Sequence, residues 1–127
     1  MIRQFAAVAL GAALLTASAG ATRDAQHLRL ERSTPSADTT VTESPATIQL
    51  WFNQPPQVAV SRITLRRAEE EITVGETRGA SEHALVIDVP SPLGPARYTV
   101  DWRAAGNDGH VLRGSFDFTI ASTDDRP

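Results

Sequence analysis

The sequence predicts an all-β fold, with seven or so short strands packed as an antiparallel Greek-key β-sandwich and a small β-barrel as the alternative. Three observations carry this expectation. Tyr98, Val100, Trp102 and Ala104 alternate with Thr99, Asp101 and Arg103, and Phe116, Phe118 and Ile120 alternate with Ser115, Asp117 and Thr119. Runs of period two give a strand one buried and one wet face. Turn-forming Pro, Gly, Ser and Asp recur between the apolar runs, and no helical period persists beyond the N-terminal stretch.

That N-terminal stretch, residues 1–21, reads as an export signal. Met1, Ile2 and Arg3 supply a cationic start, Phe5 to Leu15 an apolar run, and Thr16 to Ala21 small residues suited to cleavage after Ala19 or Ala21. The apolar run is shorter than the roughly 20 residues that cross a bilayer. The product is therefore expected to be exported and not embedded in a membrane. Residues 22–127 remain as a single domain, enough for one core.

Within that domain, His27 to Arg32 alternates as a first strand, with Leu28 and Leu30 on one face. Ser33 to Asp38 is a turn around Pro35, and the polar stretch to Pro45 is loop. Thr47 to Phe52 is the second strand, with Ile48, Leu50 and Phe52 inward and Trp51 opposite. Asn53, Gln54, Pro55 and Pro56 end it, because proline has no N–H for a ladder. Val58 to Val60 is expected as a short edge strand, and Arg62 to Arg66 alternates again. Glu69 to Glu71 marks a solvated hairpin turn before a weaker strand at Ile72 and Val74, since adjacent carboxylates diverge on an extended chain. Gly79 to His83 is loop, Ala84 to Val89 a β-branched strand, and Pro90 to Pro95 a rigid connection into the long run from Tyr98 to Ile120. Asp124 to Pro127 reads as a frayed tail. Phe52, Trp102 and Phe116 are the expected aromatic anchors of the core.

Composition narrows the function. With no cysteine, the domain relies on packing and has neither thiolate metal ligands nor a Cys nucleophile. The one methionine is Met1, so thioether ligands are also absent after cleavage. All twelve cationic residues are arginine against fifteen acids, for a formal charge of -3 that becomes -4 once Arg3 leaves with the signal. That balance, with no basic run, argues against a nucleic-acid partner. Nucleophile-elbow, zinc-protease, P-loop and dinucleotide motifs are all missing, and the chain is not expected to be an enzyme.

The feature with metal chemistry is Asn107-Asp108-Gly109-His110. Asp108 and His110 are two apart, so on an extended loop both side chains leave the same side of the backbone. Imidazole with carboxylate and no sulfur suits a borderline divalent ion, and copper(II) heads the affinity order for such sites. An isolated Asp-Gly-His triplet is more often an ordinary turn. His27 and His83 are the other histidines on offer. The residues around His83 suggest a solvated loop position.

The run Tyr98-Thr-Val-Asp-Trp-Arg-Ala-Ala-Gly-Asn-Asp-Gly-His110, followed by Gly114-Ser-Phe-Asp-Phe118, resembles the CopC family of periplasmic copper-resistance proteins. His27-Leu-Arg-Leu-Glu-Arg-Ser-Thr-Pro35 and Ile48-Gln-Leu-Trp-Phe-Asn-Gln-Pro55 extend the resemblance over the whole mature chain. It implies an immunoglobulin-like or cupredoxin-like sandwich holding one copper(II) ion through His27, Asp108 and His110. It also implies that Gln54 stands where many members carry a Glu, and that the methionine-rich copper(I) site of some members has no counterpart. In the family the histidine chelates through a free terminal amine. Cleavage after Ala19 or Ala21 would leave His27 with an amide nitrogen, so His27 is open between a ligand and an ordinary strand-start residue.

Two functions follow as expectations. One is a monomeric periplasmic copper(II) carrier or buffer in copper homeostasis or resistance, with an inner-membrane copper transporter as a possible partner. The other is an interaction module of the same fold that docks on an envelope partner with its metal site weakened or lost. A histidine-brace copper oxidase is a more distant third, because nothing in the sequence supplies a flat substrate face.

Overall fold

The computed structural model describes residues 27–122. The expected export signal and the expected tail at Asp124 to Pro127 lie outside the described residues. Among the described residues, nine strands form two sheets: β1 (Leu30–Thr34), β2 (Thr39–Val41), β3 (Thr47–Phe52), β4 (Arg62–Arg67), β5 (Glu70–Ile72), β6 (Arg78–Gly79), β7 (Ala84–Asp88), β8 (Ala96–Ala105) and β9 (Val111–Ile120). One sheet has the order β1-β3-β7-β6 and the other β2-β9-β8-β4-β5. The chain is a sandwich of two open sheets, and the barrel alternative is set aside.

The strongest alternations became the strands they predicted. β3 spans Thr47–Phe52 with Ile48, Leu50 and Phe52 buried. β4 buries Ile63 and Leu65, and β7 buries Ala84 through Ile87. The Glu run sits in the β4–β5 hairpin, whose turn is Ala68 and Glu69 and whose first pair joins Arg67 to Glu70. The hairpin is where it was expected, but Glu70 and Glu71 belong to β5 itself rather than to the turn, and Val74 falls outside the strand.

Several expectations need correction. β1 starts at Leu30 rather than His27, and Leu28 reaches the core from an irregular segment. β2 falls inside the stretch read as loop and runs parallel to β9, so the sandwich is not wholly antiparallel. Three residues, two of them threonine, are too few to show a period, and only the free edge of β9 gives them a partner. Val58–Val60 is a 3-10 turn, not an edge strand, with the Ser61 N–H donating to the Val58 carbonyl at 3.1 Å. Here the chain crosses from β3 in one sheet to β4 in the other, and a tight turn makes that step. β6 is a two-residue strand in the stretch read as the start of a loop.

The aromatic centre of the core also differs from the expected trio. Phe52 is buried as predicted, but Tyr98 and Phe118 fill the middle, stacked with ring centroids 5.6 Å apart. The Tyr98 hydroxyl donates to the Gly94 carbonyl at 2.7 Å, which removes the cost of burying its oxygen. Trp102 and Phe116 pack against this core from its margin, where with Leu30 they line a groove between β1 and β9. Trp102 still meets Phe52 edge to face at 5.4 Å. Its cross-strand partner is Gly114, and a Cβ there would lie 2.6 Å from the indole. Glycine is what lets the ring lie over β9.

The outer face of the larger sheet carries cross-strand polar pairs. Arg97 and Thr99 on β8 both reach Asp117 on β9, the Thr99 hydroxyl at 2.6 Å and Arg97 Nε at 2.9 Å. These contacts, the Thr99 hydrogen bond foremost, hold the Asp117 carboxyl below the usual carboxylate range. A depressed folded pKa contributes stability above the unfolded value, about 3.9, and that stability is lost as the pH falls through the folded pKa.

Two outcomes are expected from this packing. Gly114→Ala should lower unfolding stability by about 1–3 kcal/mol in urea melts, because the indole must move. The loss should shrink in a Trp102→Leu background, and an equal loss in both backgrounds would contradict the ring clash. Asp117→Asn should flatten the acid limb of the stability profile below about pH 4. Melts across a pH series test this, and an unchanged limb would remove Asp117 from the acid response.

Candidate metal centre

The centre lies at one end of the sandwich, where three segments meet. β8 and β9 stay paired up to Ala105 and Val111, leaving Gly106 to His110 as the connecting loop. This loop is fixed at its root. Gln57, just before the 3-10 turn, donates its backbone N–H to the Ala105 carbonyl at 2.8 Å and its side-chain amide to the Gly106 carbonyl. Gly109 closes the turn by donating to the same Gly106 carbonyl at 3.0 Å. It does so at φ +78, a conformation in which a side chain would be strained.

Asp108 is the hub. Its Oδ1 accepts the His110 backbone N–H at 3.1 Å, and its Oδ2 lies 3.0 Å from His110 Nδ1. His27 Nδ1 approaches the same Oδ2 at 3.3 Å. The side-chain hydrogen bond from His110 is the main reason the Asp108 carboxyl is held below the usual carboxylate range, with the His110 backbone N–H second and partial desolvation opposing both. The carboxylate is thus ionised and accepts only, so the His110 Nδ1 facing it acts as donor. In a neutral ring this leaves Nε2 with a lone pair.

His27 arrives from the far end of the described chain, and Asn53 holds it. The Asn53 side chain accepts the Arg29 N–H at 2.7 Å and donates to the His27 carbonyl at 2.9 Å. Its backbone N–H donates to the Arg29 carbonyl at 3.0 Å. Leu28, between these tethers, is buried and anchors the segment by packing. The two imidazoles end 5.9 Å apart between centroids, tilted by 44°.

All three residues singled out from the sequence are therefore together. One ligand atom from each of His27, Asp108 and His110 lies within 4.8 Å of the others. Two imidazoles and an ionised carboxylate fit a borderline divalent ion such as copper(II). The side chains are 51%, 31% and 73% exposed, so an ion can enter or leave without any rearrangement of the core. Gln54 is close by. Its Oε1 and Asp108 Oδ1 lie 3.4 and 3.5 Å from the point where a Gly106 Cβ would be.

His83 and the glutamate run are not part of this group. His83 precedes β7, where its backbone carbonyl accepts the Phe52 N–H at 2.8 Å. The sequence did not single out Asn53 or Gln57 as positioning residues. Asn53 was legible only as part of a strand stop, and no local pattern announces that a side chain will bridge to a segment 26 residues earlier.

Comparison with known proteins agrees with this architecture. The CopC domain matches residues 30–121. Protein YobA of Escherichia coli strain K12 is 30% identical over 97 residues, covering 74% of this chain and 78% of that protein. The crystal structure of PcoC, a methionine-rich copper resistance protein from Escherichia coli, superposes with a TM-score of 0.69 at 32% identity, covering 74% of this chain and 98% of PcoC. CopC from Methylosinus trichosporium OB3b gives a TM-score of 0.71 at 26% identity over 80% of this chain and all of that one. Two open sheets, the β8–β9 ladder and a match through most of the described residues lead to one conclusion: this chain belongs to the CopC family of copper-resistance proteins.

Proposed function

We propose that the protein is a periplasmic copper(II) carrier or buffer that binds one ion through His27, Asp108 and His110 and catalyses no reaction. The observation that carries this is the convergence of three donor atoms within 4.8 Å from segments far apart in sequence. The donors are nitrogen and oxygen, which suit copper(II). The soft sulfur ligands that favour copper(I) are missing, since the sole methionine is Met1 and there is no cysteine. PcoC is described as methionine-rich, and in this respect the present chain differs from it.

The exposure of the site suits a carrier, because ligand exchange with a recipient needs access from solvent. Asp108 supplies the negative charge beside the ion. Gln54 adds an oxygen dipole nearby but no second charge, so affinity is set below what a Glu in that place would give. If His27 keeps a backbone amide, its imidazole alone serves as donor, and the complex is weaker still.

Copper(II) titration of the wild-type protein and of His110→Ala tests the assignment. One-to-one binding should disappear in the variant, while unchanged tight binding would overturn the site and favour an interaction module of the same fold. Affinity in the wild type should fall as the pH is lowered, since metal ligands must shed their protons to bind. Asn53→Ala frees the His27 segment and should weaken copper on the order of tenfold with the β-sheet spectrum unchanged. Gln54→Glu should strengthen binding, and an unchanged affinity would show that Gln54 is remote from the ion. Mass spectrometry of the protein from the periplasm gives its terminus and decides whether His27 offers an amine.

A further inference from the structure

The outer face of the larger sheet carries a second feature that copper binding does not use. Arg62 on β4 lies opposite Arg103 on β8, and Arg103 lies opposite Arg113 on β9. Three exposed guanidinium groups thus form one row across three neighbouring strands and line an open cleft. Like charges directly opposite on adjacent strands disfavour the sheet. Four other described arginines are neutralised: Arg66 pairs with Asp101, Arg67 with Glu70, Arg78 with Asp88 and Arg97 with Asp117, while Arg32 lies over the Trp51 ring. Among the described residues, Arg62, Arg103 and Arg113 have no such carboxylate. Asp101 borders the same cleft, yet its Oδ2 is engaged by Arg66 Nε at 2.7 Å.

We propose that the Arg62–Arg103–Arg113 row is a docking surface for an acidic segment of a partner protein. Strand spacing sets the row at about 10 Å from end to end, wider than a single small oxyanion. An extended peptide with acids at alternate positions repeats its carboxylates roughly every 7 Å, so two consecutive acids fit within the row and the long arginine side chains can converge on them. Arginine suits this role because its planar fork takes a carboxylate through two parallel hydrogen bonds. Thr64 and Ser115 hydroxyls border the cleft and add neutral polar partners. A broad anionic surface is disfavoured, since the chain as a whole carries a formal charge of -3 and would be repelled outside this row. Arg113 is three residues from His110, so the docked segment would sit beside the Asp108–His110 loop.

Metal-free protein and a fluorescein-labelled peptide of alternating aspartate and serine provide the test, with anisotropy read at low and high salt. The outcome is separate from that of the copper titration because no metal is present. The Arg62→Gln/Arg103→Gln/Arg113→Gln variant should bind the peptide on the order of tenfold more weakly than wild type. A control variant, Arg67→Gln/Arg78→Gln/Arg97→Gln, removes the same formal charge and should bind nearly as well as wild type. Equal losses in the two variants would reduce the effect to net charge and overturn the proposal, as would a wild type that fails to bind at low salt. Competition with inorganic phosphate and with vesicles containing an anionic lipid distinguishes other sources of negative charge. Preferential binding of either at the same arginines would overturn the choice of an acidic peptide. If the triple variant does not fold, Arg103→Gln alone and the arginine Nε–Hε resonances of the wild type on peptide addition report on the same surface. Shifts confined to Arg62, Arg103 and Arg113 support the proposal, and shifts elsewhere overturn it.

Discussion

Ten consecutive residue pairs hold β8 against β9, from Ala96 and Ile120 to Ala105 and Val111, with no shift of register. Because side chains alternate with period two, this ladder fixes every neighbour at once. On its inner face it stacks Tyr98 on Phe118 and lays Trp102 over Gly114. On its outer face it brings Arg97 and Thr99 to Asp117 and lines Arg103 up with Arg113. At its end it leaves a short loop carrying Asp108 and His110. A slip of one residue would turn the aromatics to water and the charges into the core.

The metal centre depends on this ladder but is completed elsewhere. Asp108 and His110 are local neighbours, and the carboxylate orients the imidazole whether or not a third group is present. His27 has no such local support. It is placed by Asn53, which grips the backbone on both sides of buried Leu28, and so by the end of a strand in the other sheet. The site therefore spans the sandwich, and its geometry is tied to how the two sheets pack. Its three side chains nonetheless stay open to solvent.

The arginine row and the metal loop share the same strands at the same end of the molecule. In the copper-carrier proposal, a recipient must approach the exposed His and Asp ligands. An acidic segment held by Arg62, Arg103 and Arg113 would bring such a protein to that end without touching the ligands themselves. Cargo and partner would then be held by separate groups. In these proposals Asp108 and the two imidazoles would hold the ion, and the guanidiniums, which do not ligate metal, would hold the protein.

The sequence by itself determined what consecutive residues encode. Alternation marked β3, β4, β8 and β9, because a strand's two faces are written residue by residue, and a β-branched run marked β7. The spacing of Asp108 and His110 put both on one loop, and the lack of sulfur set the ligand chemistry. Family resemblance supplied His27 and Gln54 as neighbours of that pair, and the structure places both beside it. Tertiary structure decided the rest. It gave β2 a parallel partner, turned Val58–Val60 into a 3-10 crossing, and moved the aromatic centre from Trp102 and Phe116 to Tyr98 and Phe118. It also recruited Asn53 to hold His27 and aligned three arginines from separate strands. Each of these depends on which distant segment lies alongside, and that is set by the packing of two whole sheets rather than by any local run of residues.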